Sequence, residues 1–214
     1  MSVGPLGPRP AQPLQLYDFE ACPYCRKVRE ALSILDLDAI VYPCPKGGGR
    51  FRLEVERRGG KQQFPYLVDP NVGVALYESD AIVRHLFDGY GDGRVPLTLS
   101  LGLLGDVGST LASACRLGAG VRVRPAKRPE RLLELYSFEA SPFCRLVRET
   151  LTTLELPHLL HNVAQGSLKR PAFEVLSGKM MVPYLIDPNT DVALFESADI
   201  TAYLERTYGT GETA

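Results

Sequence analysis

The stretch LYDFEACPYCRKVREAL at residues 16–32 returns as LYSFEASPFCRLVRETL at residues 135–151, with Ser141 standing where the first copy has Cys22. Downstream, FPYLVDPNVGVALYESDAI from Phe64 returns as VPYLIDPNTDVALFESADI from Val182, one residue out of step with the first echo. A repeat of this length exceeds a solenoid unit and has the size of a small domain, so the chain reads as two domains in tandem. The expected division is a tail over 1–13, a first domain over 14–91, a connector with a helix over 92–131, a second domain over 132–209 and a tail over 210–214.

Within the first copy, LQLYDF alternates as a strand does, and Pro23 then opens a helical pattern carried by Val28, Leu32 and Leu35. AIVYP predicts a second strand, and a polar helix over about 50–58 follows the glycine turn Gly47 to Gly49. PYLVD and GVALY predict two strands around an Asp-Pro-Asn turn, and SDAIVRHLFDGYG a closing helix. Strand–helix–strand at the start demands a parallel crossover, while the last two strands are close enough for an antiparallel hairpin. The expected fold is therefore α/β: a mixed four-stranded sheet with flanking helices, thioredoxin-like, made twice. In the connector, the apolar run Leu97 to Ala114 predicts a helix covering the domain junction, and the basic run Arg122, Arg124, Lys127, Arg128 and Arg131 predicts a solvated linker.

Composition narrows the classes of function. With 214 residues and 45% hydrophobic content, the chain can bury two modest cores. A net charge of −1 supplies no global field for nucleic acid or an anionic membrane surface. MSVGPLGPRPAQP has no apolar signal segment, and no stretch is long and apolar enough to span a bilayer. Five cysteines, two of them in a CxxC, do not make a secreted disulfide framework, so an intracellular, reducing setting is expected.

The chemistry concentrates at CPYC. Cys22 precedes Pro23 at the strand-to-helix corner, where the unpaired first-turn amides and the helix dipole favour a thiolate. Cys25 lies three residues on and can attack a mixed disulfide formed on Cys22. A zinc half-site is the competing reading of CxxC, but His85, His158, His161, Cys44 and Cys115 offer no second ligand pair at zinc spacing, so no metal is expected. The histidines are expected as ordinary polar or helix-surface residues, and Cys44 as a packed thiol.

CPYCRKVR with the later Pro65 resembles a glutaredoxin active site, and the spacing from Pro65 to Glu78-Ser79 resembles the N-terminal domain of glutathione transferases. The resemblance covers both copies, and the tandem pattern resembles plant and algal chloroplast members of the glutathione transferase family, which implies a chloroplast setting. It implies glutathione as cosubstrate and a cis peptide at Phe64–Pro65 that turns the Phe64 backbone toward its cysteinyl part. It also implies that Glu78 accepts from the γ-glutamyl ammonium while Ser79 donates to its carboxylate. From the residues alone a second reading stands beside this one: Ser79 caps the helix, with Glu78 and Asp80 complementing its dipole.

In the second copy, Ser141 before Pro142, Phe143 and Cys144 excludes an internal disulfide at that corner. The SPF corner resembles serine-type glutathione transferases, and Val182, Pro183, Glu196 and Ser197 complete the same pocket pattern, giving a second glutathione site or a scaffold; a scaffold or weak site is expected. The sequence holds no all-helical transferase C-terminal domain, which argues against conjugation of bulky electrophiles. The expected activity is glutathione-dependent thiol–disulfide exchange with Cys22 as nucleophile, on glutathionylated or disulfide-containing proteins. Transferase or peroxidase chemistry, and a non-enzymatic binding module with vestigial sites, are the alternatives. The two domains are expected to pack as an intramolecular pseudo-dimer.

Overall fold

A computed structural model describes residues 1–100 and 120–211 of the chain. The greater part of the run Leu97 to Ala114, with its expected helix, and Cys115 lie outside the described residues. The first copy runs β1 (Leu14–Asp18), α1 (Pro23–Ile34), β2 (Ala39–Pro43), α2 (Arg52–Gly59), β3 (Tyr66–Asp69), β4 (Val74–Tyr77) and α3 (Ser79–Tyr90), and a short α4 (Leu97–Ser100) follows. The second copy repeats the order as β5 (Leu133–Ser137), α5 (Pro142–Thr153), β6 (His158–Asn162), α6 (Arg170–Ser177), β7 (Tyr184–Asp187), β8 (Val192–Phe195) and α7 (Ser197–Tyr208). The one-residue slip between the two echoes falls at the turn Gly47 to Gly49, where the second copy has one residue fewer between β6 and α6.

In each copy the first two strands are parallel and the last two form an antiparallel hairpin beside the first. This is the thioredoxin-like arrangement expected from the strand and helix order. Strand periodicity divides the core into two layers. Leu14 and Leu16 of β1 pack with Val28 and Leu32 of α1 and Ile82 and Leu86 of α3, while Tyr17, on the other face, packs with Phe51, Val55 and Tyr66 under α2. The second copy builds the same two layers around Leu133 and Leu135 on one side and Phe173 and Tyr184 on the other.

The two sheets are not separate. β2 pairs antiparallel with β6 in the register Ala39↔Leu160, Ile40↔Leu159, Val41↔His158, giving one eight-stranded sheet in the order β4-β3-β1-β2-β6-β5-β7-β8. Each copy alone would leave the apolar edge of its second strand unpaired; the seam satisfies both edges with one another. Polar side chains reinforce it. Ser33 donates to Asn162 Oδ1 at 2.7 Å, Asn162 Nδ2 donates to the Leu37 carbonyl at 2.6 Å, and His161 stands between Asp38 at 3.0 Å and Glu134 at 3.1 Å.

One expectation changes here. His158 and His161 are seam residues on β6, not helix-surface residues: His158 is 2% exposed, and among the described residues its Nε2 has no hydrogen-bond partner. The basic run exposes Arg122, Lys127, Arg128 and Arg131 to solvent, while its backbone is held to both copies. The backbone N–H of Arg124 donates to Thr153 O at 2.8 Å, that of Lys127 to Tyr208 O at 2.7 Å, and the backbone at Arg122 forms a parallel β-bridge with Lys46 of the first copy. Backbone bonds also tie down the opening residues, since Val3 N–H donates to Gln165 O and Gly4 N–H to Ile34 O, one in each copy.

Candidate functional site

Cys22 is the N-cap of α1, in extended conformation with Pro23 beginning the helix, and its Sγ accepts the Cys25 N–H at 3.4 Å. Proline at that position removes an amide that would have had no helical partner. The thiol of Cys25, the backbone N–H of Cys25 and the charge of Arg29 together hold the Cys22 thiol below its ordinary value, outweighing burial. Cys25 behaves in the opposite way: complete burial, then the hydrogen bond and charge of Cys22, push it well above the usual thiol range. The pair is thus polarised, the outer sulfur shifted toward the thiolate and the inner one toward the thiol.

Cys22 is 5% exposed, and what exposure it has faces a cavity of about 210 Å³. The cavity is shared between the copies. Glu20, Cys22 and Arg26 line it from one side, their counterparts Glu139, Ser141 and Arg145 from the other, together with Arg29 and Arg148. Ser141 repeats the geometry of Cys22 as N-cap of α5, accepting the Cys144 N–H at 3.2 Å, and Cys144 is fully buried.

Beneath these corners lies a buried ionic cluster that reading the sequence did not single out. Arg29 donates to Asp18 at 2.5 Å and, through Nε and Nη2, to Glu139 at 2.9 and 3.2 Å. Arg148 reciprocates, donating to the two oxygens of Glu20 at 3.0 and 3.1 Å. Each guanidinium therefore crosses the seam to the other copy's glutamate. Burial alone would raise Glu20, but Arg148 and Arg29 hold it below the usual carboxylate range. Asp18 is raised, because its burial outweighs Arg29. In the second copy Ser137 takes the place of Asp18, so the cluster has three carboxylates for two arginines. The sequence signal is present in FEA and VRE, identical in both copies, and Arg29 also pairs within its own copy with Glu20 at 3.2 Å.

On the other flank of α1, Lys27 forms an ion pair with Asp80 in the first turn of α3, and Phe19 packs edge-on against Phe64 with ring centroids 6.3 Å apart. These contacts bring the Cys22 corner, the Phe64–Pro65 loop and the start of α3 together. Both Phe64–Pro65 and Val182–Pro183 are cis. Glu78 occupies the N-cap of α3 at φ 65°, ψ 116°, and Glu196 the N-cap of α7 at φ 65°, ψ 121°; neither makes a capping bond. Ser79 and Ser197 are the first helical residues, so the reading of Ser79 as the cap is replaced by Glu78. A non-glycine residue held at such a φ costs about 1–3 kcal/mol. A positive φ recurs at the same point in both copies, as it does at Asp36 and Glu155 after the first helix of each. The Phe64–Pro65 loop and Glu78-Ser79 do not line the shared cavity. Among the described residues no cluster of side chains is arranged to hold a metal ion.

Comparison with known proteins identifies the repeat. The family model of the glutathione S-transferase N-terminal domain matches twice, over residues 16–94 and 135–212. A glutathione S-transferase-like protein of Aspergillus fumigatus, tpcF, is 36% identical over 58 residues, covering 27% of this chain and 26% of that protein. Among solved structures, the Bombyx mori glutathione transferase BmGSTD1 is 29% identical, covering 39% of this chain and 38% of its own, at a TM-score of 0.35. A delta-class glutathione transferase of Nilaparvata lugens is 27% identical, covering 49% and 46%, also at 0.35. The chain thus spans about a quarter of the curated relative and less than half of each of these two solved chains.

Proposed function

The chain belongs to the glutathione S-transferase N-terminal domain family, present in two copies, and on that premise we propose that it is a glutathione-dependent thiol–disulfide oxidoreductase with Cys22 as nucleophile. The observation that carries the reading is the polarised pair at the start of α1, where Cys22 is lowered and Cys25 raised. In the first step the Cys22 thiolate attacks the glutathione sulfur of a glutathionylated protein; the protein leaves as a thiolate and Cys22 carries glutathione in a mixed disulfide. A second thiol, Cys25 or free glutathione, then breaks that bond. The Phe64 backbone beside Pro65 would pair with the cysteinyl part of glutathione, and Glu78 and the Ser79 N–H and hydroxyl with its γ-glutamyl end. Residues 14–91 and 132–209 act as the two domains of an intramolecular pseudo-dimer. All four described cysteines are free, which fits a reducing setting.

Replacing Cys22 by Ser is expected to abolish reduction of a glutathione mixed disulfide, measured by coupled turnover of a glutathionylated peptide; undiminished turnover in Cys22→Ser would refute the assignment. The pH dependence of Cys22 alkylation should give a midpoint below that of free cysteine, and removing the partner in Cys25→Ala should raise it.

Glu78→Gly offers a separate check. Glycine adopts φ 65° freely, which relieves strain of about 1–3 kcal/mol and costs roughly 0.5–1 kcal/mol in chain entropy. The expected result is a melting temperature unchanged or raised, together with weaker glutathione binding by calorimetry. A variant that lost stability and kept its affinity would assign Glu78 to folding alone.

A further inference from the structure

We propose that the seam cavity receives the departing half of the substrate disulfide, so that Cys22 acts on glutathionylated cysteines carried by small thiols or extended segments and not on those held flat on a folded surface. This rests on the exchange reading above and names the substrate class of that same site. Two observations carry it, one of direction and one of size.

The first is that the Cys22 corner has two flanks. Lys27 and Phe19, with their partners Asp80 and Phe64, lie on one, next to the Phe64–Pro65 loop and the start of α3. Pro23, Arg26 and Arg29, spaced three residues apart along one face of α1, lie on the other and line the seam cavity. Neither Phe64 and Pro65 nor Glu78 and Ser79 are among the residues of that cavity wall. A disulfide between glutathione and a substrate thiol has two halves, and a nucleophile set between two recesses can take one half in each. The exchange reading gives the glutathione half to the loop side, which leaves the seam cavity for the half that departs. The Cys22 sulfur bonds to the glutathione sulfur, the original S–S bond breaks, and the departing thiolate takes a proton from solvent. One disulfide replaces another, so there is no net oxidation or reduction.

The second observation is size. Cys22 is 5% exposed, and the cavity it opens on measures about 210 Å³, the space of roughly seven water molecules at ~30 Å³ each. A cysteine side chain with the few atoms around it fits such a space, and a folded surface does not. The far wall belongs to the second copy, where Ala140, Pro142 and Arg145 face Cys22 across the seam. Ala140 ends at its Cβ and is exposed, so the residue at this position governs how much can enter. The second copy thereby gauges what reaches Cys22, a role that needs no cysteine and no ligand of its own.

The test compares a folded protein glutathionylated on one helix-surface cysteine with the peptide cut from it that carries the same modified cysteine. Coupled turnover gives kcat/KM for each, and each value is divided by the rate at which dithiothreitol reduces that substrate, which removes differences in intrinsic reactivity. The normalised value is expected to be at least tenfold higher for the peptide. Ala140→Phe narrows the cavity from the far wall and leaves Cys22 and the loop in place. It should lower kcat/KM for the peptide at least tenfold, with calorimetric affinity for glutathione and the pH midpoint of Cys22 alkylation as in the wild type. If the wild type turns over neither substrate nor the mixed disulfide of glutathione with cysteine, the exchange reading fails and takes this one with it. Turnover with equal normalised rates for peptide and folded protein overturns the size argument alone, as does undiminished peptide turnover by a folded Ala140→Phe.

Discussion

Arg148→Met is expected to destabilise the protein by ~3–5 kcal/mol, seen as a fall of roughly 10 °C in melting temperature. Arg148 is buried, and its guanidinium holds Glu20 through both carboxylate oxygens and Glu139 at 3.0 Å. Removing it leaves a buried carboxylate short of its counter-charge, and such a loss costs far more than the ~0–1 kcal/mol of an exposed pair. Removing Glu20 as well, in the double variant Glu20→Leu/Arg148→Met, should cost less than the sum of the two single changes, because the pair is removed together. A loss below about 1 kcal/mol for Arg148→Met, measured by urea titration, would show that the cluster is solvated and that the seam does not depend on it. The same variant bears on chemistry, since Glu20 and Arg29, both linked to Arg148, stand beside Cys22 at the cavity.

Acid should loosen the molecule through His158. Burial, with Arg148 adding to it, holds this imidazole neutral and lowers it to about 4, against an ordinary value near 6.5. The folded state therefore binds fewer protons than the unfolded one between those two values. Stability falls as the pH drops through that window and the contribution is lost in full below about 4. At ~1.36 kcal/mol per unit, the loss amounts to about 3 kcal/mol. His158→Leu is expected to flatten the slope between pH 6.5 and 4 in chemical-denaturation curves. Glu30 and Glu155, both raised by burial, act with opposite sign over overlapping pH, so the difference between variant and wild type is the quantity to read. Equal slopes in the two proteins would mean that water reaches His158 Nε2.

The fold was legible because each copy states it in period-two and period-3.6 patterns punctuated by Pro23, the glycine turn and the Asp-Pro-Asn turn, and because it states them twice. AIVYP became β2 with the bounds the sequence suggested, and the closing helix began at Ser79. The site was legible in part. Cys22, Cys25 and Ser141 announce themselves by their place before and after a proline at a helix start. What could not be read was which residues cross the seam. Nothing in FEA or VRE says that Arg29 reaches Glu139 as well as its own Asp18, because that depends on β2 meeting β6 in one register. His158 was misjudged for the same reason. On β6 it takes the place of Ala39 on β2, between Leu133 of its own copy and Val41 across the seam.

A symmetric assembly of identical subunits must present the same side chain from both sides of its axis, so any residue that serves one side is imposed on the other. Covalent doubling lifts that constraint. Cys22 can look across at Ser141 and Asp18 can answer to Ser137, while the strands that fuse the halves leave their partnership independent of concentration. The two halves can diverge one position at a time, a freedom open to a chain that carries its own near-twin.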